Sequence, residues 1–272
     1  MKTDFNHSVT IMGILNLTPD SFYDGGVWNN KKKIISIVQK WNDLGIRMID
    51  VGCESSRPGA DPIDIDEEIK RLNLIIPVIK LFPEIIFSID TYKPEVARYA
   101  IENGFNIIND IFGGAENKMF EIAKEYDVPL IIMHMKGSPK TMQKNIKNKN
   151  IVEEVIEFFN ERVHSAKNFG IKSNNIILDP GIGFGKSFSD NDKILFNIKR
   201  FKNLGFPILI GTSRKSFLKA NDSPKGRLAN SIASMTLSII NGANIIRVHD
   251  VKESLKVKYF LTRYIKSNFP NA

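Results

Sequence analysis

The chain has very little of several features that define other protein classes. Its 272 residues contain one cysteine, Cys53, which excludes an intrachain disulfide and fits a reducing compartment. No apolar stretch approaches the roughly 20 residues that span a bilayer, and residues 1–7 lack the apolar core of a signal peptide. We therefore expect a cytoplasmic protein that does not associate with membranes.

Dense runs of one charge are also missing, although the net charge is +8. Lysines are spread along the chain, and residues 31–33 and 144–149 are the nearest approach to a basic run. A scattered basic exterior is typical of a solvated surface, so we expect no nucleic-acid partner. An anionic substrate would instead require a local cluster of Arg, Lys and His.

Motifs of several catalytic classes are missing as well. The chain has neither an HExxH nor an HxH metal pattern, and no Ser–His–Asp arrangement is legible. A tightly held transition metal is therefore not expected. The turn after the first apolar run is not GxGxxG, which counts against an open doubly wound sheet that binds dinucleotides.

What the chain does have is eight short, β-branched apolar runs that polar residues hardly interrupt. Strands buried on both faces have this composition. The predicted strands are 10–15, 48–51, 85–89, 107–108, 130–133, 176–178, 208–210 and 245–248. Segments with helical periodicity lie between them; residues 152–163 predict a helix of about 18 residues, and residues 72–79 repeat the pattern. Several segments end at a glycine suited to stop a helix: Gly45, Gly104, Gly170, Gly205 and Gly242.

Eight strand–helix units predict an α/β protein whose parallel strands close into a (β/α)₈ barrel. No linker is visible, so we expect a single domain over residues 1–272. In such barrels the active site is built from the loops that follow the strands. Nearly every apolar run here ends in a polar cluster of that kind.

Three of these strand-end residues suggest a planar heterocyclic ligand. Asp90, Asn109 and Asp179 directly follow apolar runs, and each on its own is also explained as the cap of the next helix. If the three point inward, a carboxylate matches an N–H/NH₂ edge and the Asn amide matches a mixed donor/acceptor edge.

The ends of the last two strands suggest an anion site. Arg247 and His249 lie two residues apart and share a face, at a position where barrels often bind phosphate. The alternatives are an ion pair of Arg247 with Asp250 and a backbone hydrogen bond for His249. The small-residue turn at 211–213 lets Lys215 reach inward, and we expect the anion site to be separate from the heterocycle pocket.

Longer motifs resemble the dihydropteroate synthase family. Residues 13–22 (GILNLTPDSF) with 24–26 (DGG) resemble its first signature, and residues 54–60 (ESSRPGA) resemble its second. Residues 179–186, 211–216 and 247–251 are similar to the later ones. The resemblance runs from about residue 10 to about residue 265 in the family's order, which makes it far more specific than any single motif.

The resemblance implies a (β/α)₈ barrel that forms a homodimer and uses Mg²⁺. Such an enzyme condenses 4-aminobenzoate with 6-hydroxymethyl-7,8-dihydropterin diphosphate, is a sulfonamide target, and releases dihydropteroate and pyrophosphate in folate synthesis. The resemblance implies that the pterin is held by Asp90, Asn109, Asp179 and Lys215. It places the diphosphate on Ser56, Arg57, Arg247 and His249, and Mg²⁺ on Asn16. It borders the aminobenzoate site with Phe22, Pro58, Phe184, Lys215 and Ser216. The resemblance implies that the catalytic residues are Lys215, Asp90, Arg247 and His249.

Two departures and two alternatives accompany this interpretation. Cys53 and Ser56 stand where family members usually carry Gly and Thr, and Ser56 keeps the hydroxyl group. A pterin-binding methyltransferase domain has a similar barrel, but it holds no diphosphate and does not explain the pair Arg247 and His249. A non-catalytic homologue would show an eroded anion site, and the sequence shows no such erosion.

Overall fold

The computed structural model describes residues 5, 9–18, 31–55, 59–137, 140, 142, 150–218 and 226–268. Within these residues, eight parallel strands hydrogen-bond in the order β6-β5-β4-β3-β2-β1-β8-β7. A parallel bridge between Leu178 and Ile208 joins the two ends of this order. The strands are β1 Thr10–Asn16, β2 Met48–Gly52, β3 Ile86–Asp90, β4 Ile107–Asp110, β5 Leu130–Met133, β6 Ile176–Asp179, β7 Leu209–Ile210 and β8 Ile245–Val248. The predicted (β/α)₈ barrel is confirmed.

Helices alternate with the strands along the chain. Over the described residues they are α1 Lys31–Asp43, α2 Ile65–Leu72, α3 Ile76–Ile79, α4 Pro94–Glu102, α5 Asn117–Glu125, α6 Ile151–Asn168, α7 Phe188–Phe196, α8 Ile198–Lys202, α9 Leu228–Ile240 and α10 Val251–Asn268. Helix α6 has the 18 residues that its apolar stripe predicted. The periodicity over residues 72–79 predicts one uninterrupted helical segment. In the structure, helix α2 ends at Leu72 and the separate helix α3 begins at Ile76 with a proline in its first turn. All five predicted stop glycines have positive φ angles.

Two apolar layers hold the barrel together. The larger layer lies between strands and helices and contains outward strand residues such as Ile49, Val51 and Ile89. The smaller layer fills the barrel interior and takes one residue from most strands: Met12, Met48, Ile107, Ile131, Ile177, Leu209 and Ile245. Phe5 joins this interior layer, and its carbonyl accepts a 2.9 Å hydrogen bond from Asn244. The interior is therefore packed below the strand C-terminal ends, and the polar residues lie above that layer.

In the part of the chain that the structure describes, no helix is long and apolar enough to cross a membrane. The cytoplasmic location stays a prediction. Cys53 is fully buried in the layer between strands and helices, where burial raises the pKa of its thiol. The thiol packs among the apolar side chains of this layer, as a small buried apolar group does.

Candidate active site

The C-terminal ends of β1 to β4 lie side by side at one mouth of the barrel. The strand register pairs Gly52 with both Asn16 and Asp90, and pairs Asp90 with Asn109. A Cβ atom on Gly52 would lie 3.2 Å from Asn16 Oδ1 and 3.6 Å from Asp90 Oδ2. Glycine therefore leaves the space into which the polar side chains of Asn16 and Asp90 project.

A buried charge cluster lies at the centre of this mouth. Arg247 donates from Nε to Asp50 Oδ2 at 2.6 Å and from Nη2 to Asp90 Oδ2 at 2.7 Å. Asp50 is fully buried in the middle of β2. The alternative that Arg247 pairs with Asp250 is wrong, because Asp250 accepts from Arg214 at 3.0 Å instead. The residues expected for the anion site and for the heterocycle pocket also meet at Arg247, since its guanidinium bonds directly to Asp90.

Asn109 joins the same cluster through its amide nitrogen. Nδ2 donates to Asp50 Oδ2 at 3.1 Å, and the side chain is almost completely buried. The neighbouring Asp110 faces away and accepts hydrogen bonds from the backbone nitrogens of Phe112 and Gly114. Asp110 thus holds the turn after β4, whereas Asn109 faces the charge cluster and caps no helix among the described contacts.

Asp179 lies across the mouth at the end of β6. Its Oδ1 accepts a 2.7 Å hydrogen bond from the Gly181 backbone nitrogen. Burial raises the pKa of the Asp179 carboxyl, and the charges of Lys215 and Arg247 oppose that rise. Asp179 is therefore close enough to Arg247 for the two charges to interact across the mouth.

The glycine-rich loop after β6 is held by a buried lysine. Lys186 donates to the backbone carbonyls of His134, Gly181 and Phe184 at 3.1, 2.8 and 3.0 Å. Gly181 has a φ of 64°, and a Cβ there would lie 2.0 Å from the His134 carbonyl oxygen. Only glycine at position 181 allows the loop after β6 to lie this close to the backbone of the loop after β5. Lys186 links the two loops by hydrogen bonds to both.

Lys215 reaches inward from the turn after β7, as the sequence predicted. Its Nζ donates to the Ile182 carbonyl and lies 4.5 Å from the centre of the Phe184 ring. Arg214, with a φ of 59°, makes the turn, and its backbone nitrogen donates to Ser231. Burial lowers the pKa of Lys215 to about 8, against the opposing charge of Asp179. Ser216 begins the next 3₁₀ turn and is exposed.

His249 lies just beyond β8 and next to the turn after β7. Its backbone nitrogen and its ring Nδ1 are both 3.1 Å from the Ser213 hydroxyl oxygen. A serine side chain from the neighbouring turn is therefore one partner of His249 at the strand end. Ser213 fixes the imidazole beside the turn that carries Lys215.

Burial sets the pKa of the Asp90 carboxyl. It raises the pKa of Asp90 to about 7, although the Arg247 guanidinium opposes this shift and Asp50 adds to it. The carboxylates raise the pKa of Arg247 beyond its ordinary value, even though burial disfavours its charge. Arg247 therefore remains a cation that neutralises a group of buried acids.

A second buried ion cluster joins the loops after β2 and β3. Lys93 Nζ lies 2.5 Å from Glu54 Oε2 and 2.6 Å from Glu68 Oε2. Glu54 also accepts from the Ile63 backbone nitrogen at 3.0 Å. Because Lys93 is three residues from Asp90 and Glu54 is two from Ser56, this bridge fixes the base of the loop that carries the predicted diphosphate residues.

Replacing Lys93 with Met is expected to lower the free energy of unfolding by about 3–5 kcal/mol, because two carboxylates would be left near one another without their cation. Urea denaturation measures this change. Lys140, which forms a 2.8 Å ion pair with Asp61 at the exposed surface, is the matched control, and Lys140→Met is expected to leave the free energy of unfolding nearly unchanged. Equal losses of unfolding free energy in the two variants would show that the Lys93 bridge stabilises the fold no more than an exposed ion pair does.

Sequence reasoning identified most of the mouth but missed one residue that holds it together. Phe22, Ser56, Arg57 and Pro58 lie outside the described residues, and their roles stay predictions. Asp50 was read only as part of an apolar strand. A carboxylate within the run 48–51 was the signal, because an inward-facing acid in a barrel strand needs a buried partner.

Comparisons with known proteins agree with this geometry. A family model described as "Pterin binding enzyme" matches residues 12–249. A dihydropteroate synthase of Clostridium beijerinckii is 44% identical over 248 residues, which cover 90% of each chain. A Clostridium difficile dihydropteroate synthase, solved in the presence of pteroic acid, superposes with a TM-score of 0.89 at 39% identity and covers 98% of this chain and 99% of that one.

A further solved structure, of Xanthomonas albilineans dihydropteroate synthase with 4-aminobenzoic acid, has a TM-score of 0.88 at 33% identity. The similarity covers 95% of this chain and 93% of that chain. The family match runs from β1 to just beyond β8 and spans the described site residues from Asn16 to His249. The chain therefore belongs to the dihydropteroate synthase family of pterin-binding enzymes.

Proposed function

We propose that the barrel mouth condenses 4-aminobenzoate with 6-hydroxymethyl-7,8-dihydropterin diphosphate, and that Asp90, Asn109 and Asp179 bind the pterin ring. The observation that supports this assignment is that three side chains with acceptor oxygens lie at the same mouth. Each of them uses one terminal atom for a hydrogen bond within the protein and has a second terminal atom for a ligand. A dihydropterin ring offers several N–H donors in one plane, which is the complement of such a set.

The leaving diphosphate is assigned to the cationic side of the mouth. Arg247 uses two of its five N–H donors for Asp50 and Asp90, so further donors remain for phosphate oxygens. His249 lies beyond the end of the same strand and can donate in either charge state. Ser56 and Arg57 complete this proposal from the loop after β2.

Mg²⁺ belongs to the proposal, and Asn16 is its expected protein ligand. The carboxamide oxygen of Asn16 projects over Gly52 at the mouth, next to Asp90. Mg²⁺ prefers oxygen ligands and is often held by few protein groups together with substrate phosphates, so a single carboxamide oxygen fits. When bound, the ion would neutralise charge on the departing diphosphate.

The chemistry follows from the charges around the pterin methylene carbon. The bond between this carbon and the diphosphate oxygen breaks, pyrophosphate leaves, and positive charge spreads into the dihydropterin ring. Asp90 and Asp179 stabilise that positive charge, while Arg247 and His249 stabilise the departing anion. The amine of 4-aminobenzoate then forms the new C–N bond and loses a proton. An aromatic amine needs little activation to attack such a carbon. The reaction therefore does not require the kind of general-base pair that the sequence does not show.

The experiment that tests this function is a pyrophosphate-release assay. Incubation with the pterin diphosphate, Mg²⁺ and 4-aminobenzoate is expected to release pyrophosphate and form dihydropteroate in equal amounts. Omission of 4-aminobenzoate is the control. A corrinoid-dependent methyltransferase would instead consume methyltetrahydrofolate and release no pyrophosphate, and that outcome would replace the synthase assignment.

The pH dependence of the reaction is expected to report Lys215. Because burial lowers its pKa to about 8, Lys215 is a cation below this pH and loses its charge above it. We expect kcat/KM for the pterin diphosphate to fall as the pH rises through about 8. Lys215→Arg keeps the charge to much higher pH, so the pH profile of its kcat/KM should lack this alkaline limb. A limb that is unchanged in Lys215→Arg would assign the titration to another group.

We further propose that the enzyme is a homodimer that associates through an apolar face on α7, α9 and α10. Helix α9 packs against both α7 and α10, and Asn241 after α9 donates to the Leu195 carbonyl in α7 at 2.9 Å. Large exposed side chains make up this apolar face: Phe196, Leu237, Ile240, Phe260 and Tyr264. Apolar surface of this kind marks interaction sites, and a two-fold dimer covers the same patch on both copies.

Light scattering tests the dimer with two matched variants. Leu237→Glu is expected to give a monomer, because the charge would be buried at the contact. Leu81 is 57% exposed and Leu237 is 54% exposed, but Leu81 lies after α3, outside the apolar face. Leu81→Glu should therefore remain dimeric. A dimeric Leu237→Glu variant would place the interface on another surface.

A further inference from the structure

Asp50 occupies an unusual position below the mouth of the barrel. It is fully buried in the middle of β2, two residues beyond Met48 of the interior apolar layer. One of its oxygens, Oδ2, accepts from both Arg247 Nε and Asn109 Nδ2. The other, Oδ1, is buried without a hydrogen-bond partner among the described residues. The proposed reaction gives Asp50 no contact with substrate.

This carboxylate determines which way the Asn109 amide faces. Asp50 Oδ2 accepts a hydrogen bond from Arg247 Nε, so this oxygen presents an acceptor to Asn109 as well. Asn109 must therefore turn Nδ2 towards Asp50, because the reversed amide would bring two oxygen atoms together. Oδ1 and the second N–H of the amide are then presented to the mouth in a fixed order.

The same carboxylate also fixes the neighbouring oxygen of Asp90. Asp50 holds Arg247 at Nε, and the guanidinium plane then directs Nη2 at Asp90 Oδ2. Since a guanidinium is planar and rigid, the two bonds are coupled. Asp50 thus orders two of the three groups assigned to the pterin, although it lies beneath them.

We propose that Asp50 is a positioning residue that sets the hydrogen-bond specificity of the pterin pocket. By locking Asn109, it makes the pocket select a ring edge with an acceptor nitrogen at N1 and a donor amino group at C2. A pteridine with the reversed order on this edge, N1–H and a C2 carbonyl, is rejected. This inference rests on the proposed pterin function and adds the residue that enforces it.

The test compares two ligands that differ along this one edge, pterin-6-carboxylate and lumazine-6-carboxylate. Calorimetry gives their affinities for the whole protein and for three variants. Asp50→Leu has a similar shape and accepts no hydrogen bond, whereas Asp50→Asn keeps an acceptor oxygen. Asp110→Asn is the control, because Asp110 is also a buried strand-end carboxylate but bonds only to the backbone of Phe112 and Gly114.

We expect the wild type to prefer the pterin, and Asp50→Leu to reduce this preference about tenfold or more, since Asn109 can then turn over. Asp50→Asn should restore most of the preference, and Asp110→Asn should leave it unchanged. A purely structural role would lower both affinities in parallel, which would overturn the inference. An unchanged preference in Asp50→Leu would overturn it as well. If the wild type bound neither ring, the proposed function itself would fail.

Discussion

Asp90→Asn is expected to weaken the binding of a phosphate-free pterin by about 2–4 kcal/mol. The Asp90 carboxylate accepts from Arg247 at 2.7 Å and is assigned to accept from the pterin with its other oxygen. An amide has one acceptor oxygen and one donor nitrogen, so it must direct its donor either at the guanidinium or at the ring N–H. Either choice removes one charge-assisted hydrogen bond and adds a donor–donor contact.

Calorimetry with a simple pterin measures this loss. Asp192, which is exposed on α7, provides the matched control, and Asp192→Asn should bind the pterin as the wild type does. Circular dichroism checks that both variants are folded. Unchanged pterin affinity in a folded Asp90→Asn variant would remove Asp90 from the binding site.

Arg247→Met is expected to weaken both pterin and diphosphate binding and to lower the free energy of unfolding by about 3–5 kcal/mol. The variant leaves Asp50 and Asp90 buried without their cation, and Asn109 is bonded to the same Asp50 oxygen. The sequence-based expectation was different, because a separate anion site would lose the diphosphate and keep the pterin.

The variant His249→Ala is expected to affect diphosphate binding and pterin binding differently. His249 lies beyond β8 and bonds to Ser213, whereas Arg247 and Asp50 hold Asp90 and Asn109, so its removal should weaken the diphosphate and spare a phosphate-free pterin. Binding of both ligands is measured for each variant at a temperature where it is folded. Full pterin affinity in Arg247→Met would show that the ion cluster does not organise the pterin pocket.

The sequence predicted the barrel because its physical signals are local. Apolar β-branched runs, the stripe on α6 and the stop glycines each act within a few residues, and eight repeats leave few architectures open. The discontinuity between α2 and α3 was missed because the apolar spacing continues across it, while a proline decides where the helix restarts.

The partners of the site residues were harder to predict because they join distant strands. Asp90 and Arg247 are 157 residues apart, and only barrel closure brings β3 and β8 to the same mouth. Strand-end position indicated that Arg247 lies at the mouth, but it did not distinguish Asp50 and Asp90 from Asp250 as partners. Side-chain direction decides between them: Arg247 faces inward from β8, while Asp250 lies beyond that strand with Arg214.

Asp90, Asn109 and Asp179 are proposed to surround one planar pterin. A crystal structure of the protein with a phosphate-free pterin tests this arrangement. We predict that the ring lies across the mouth, donates to one oxygen of each of the three side chains, and leaves the bonds of Arg247 to Asp50 and Asp90 intact. A pterin bound elsewhere on the barrel, or one that contacts none of these three residues, would show that the three side chains do not form the pterin pocket.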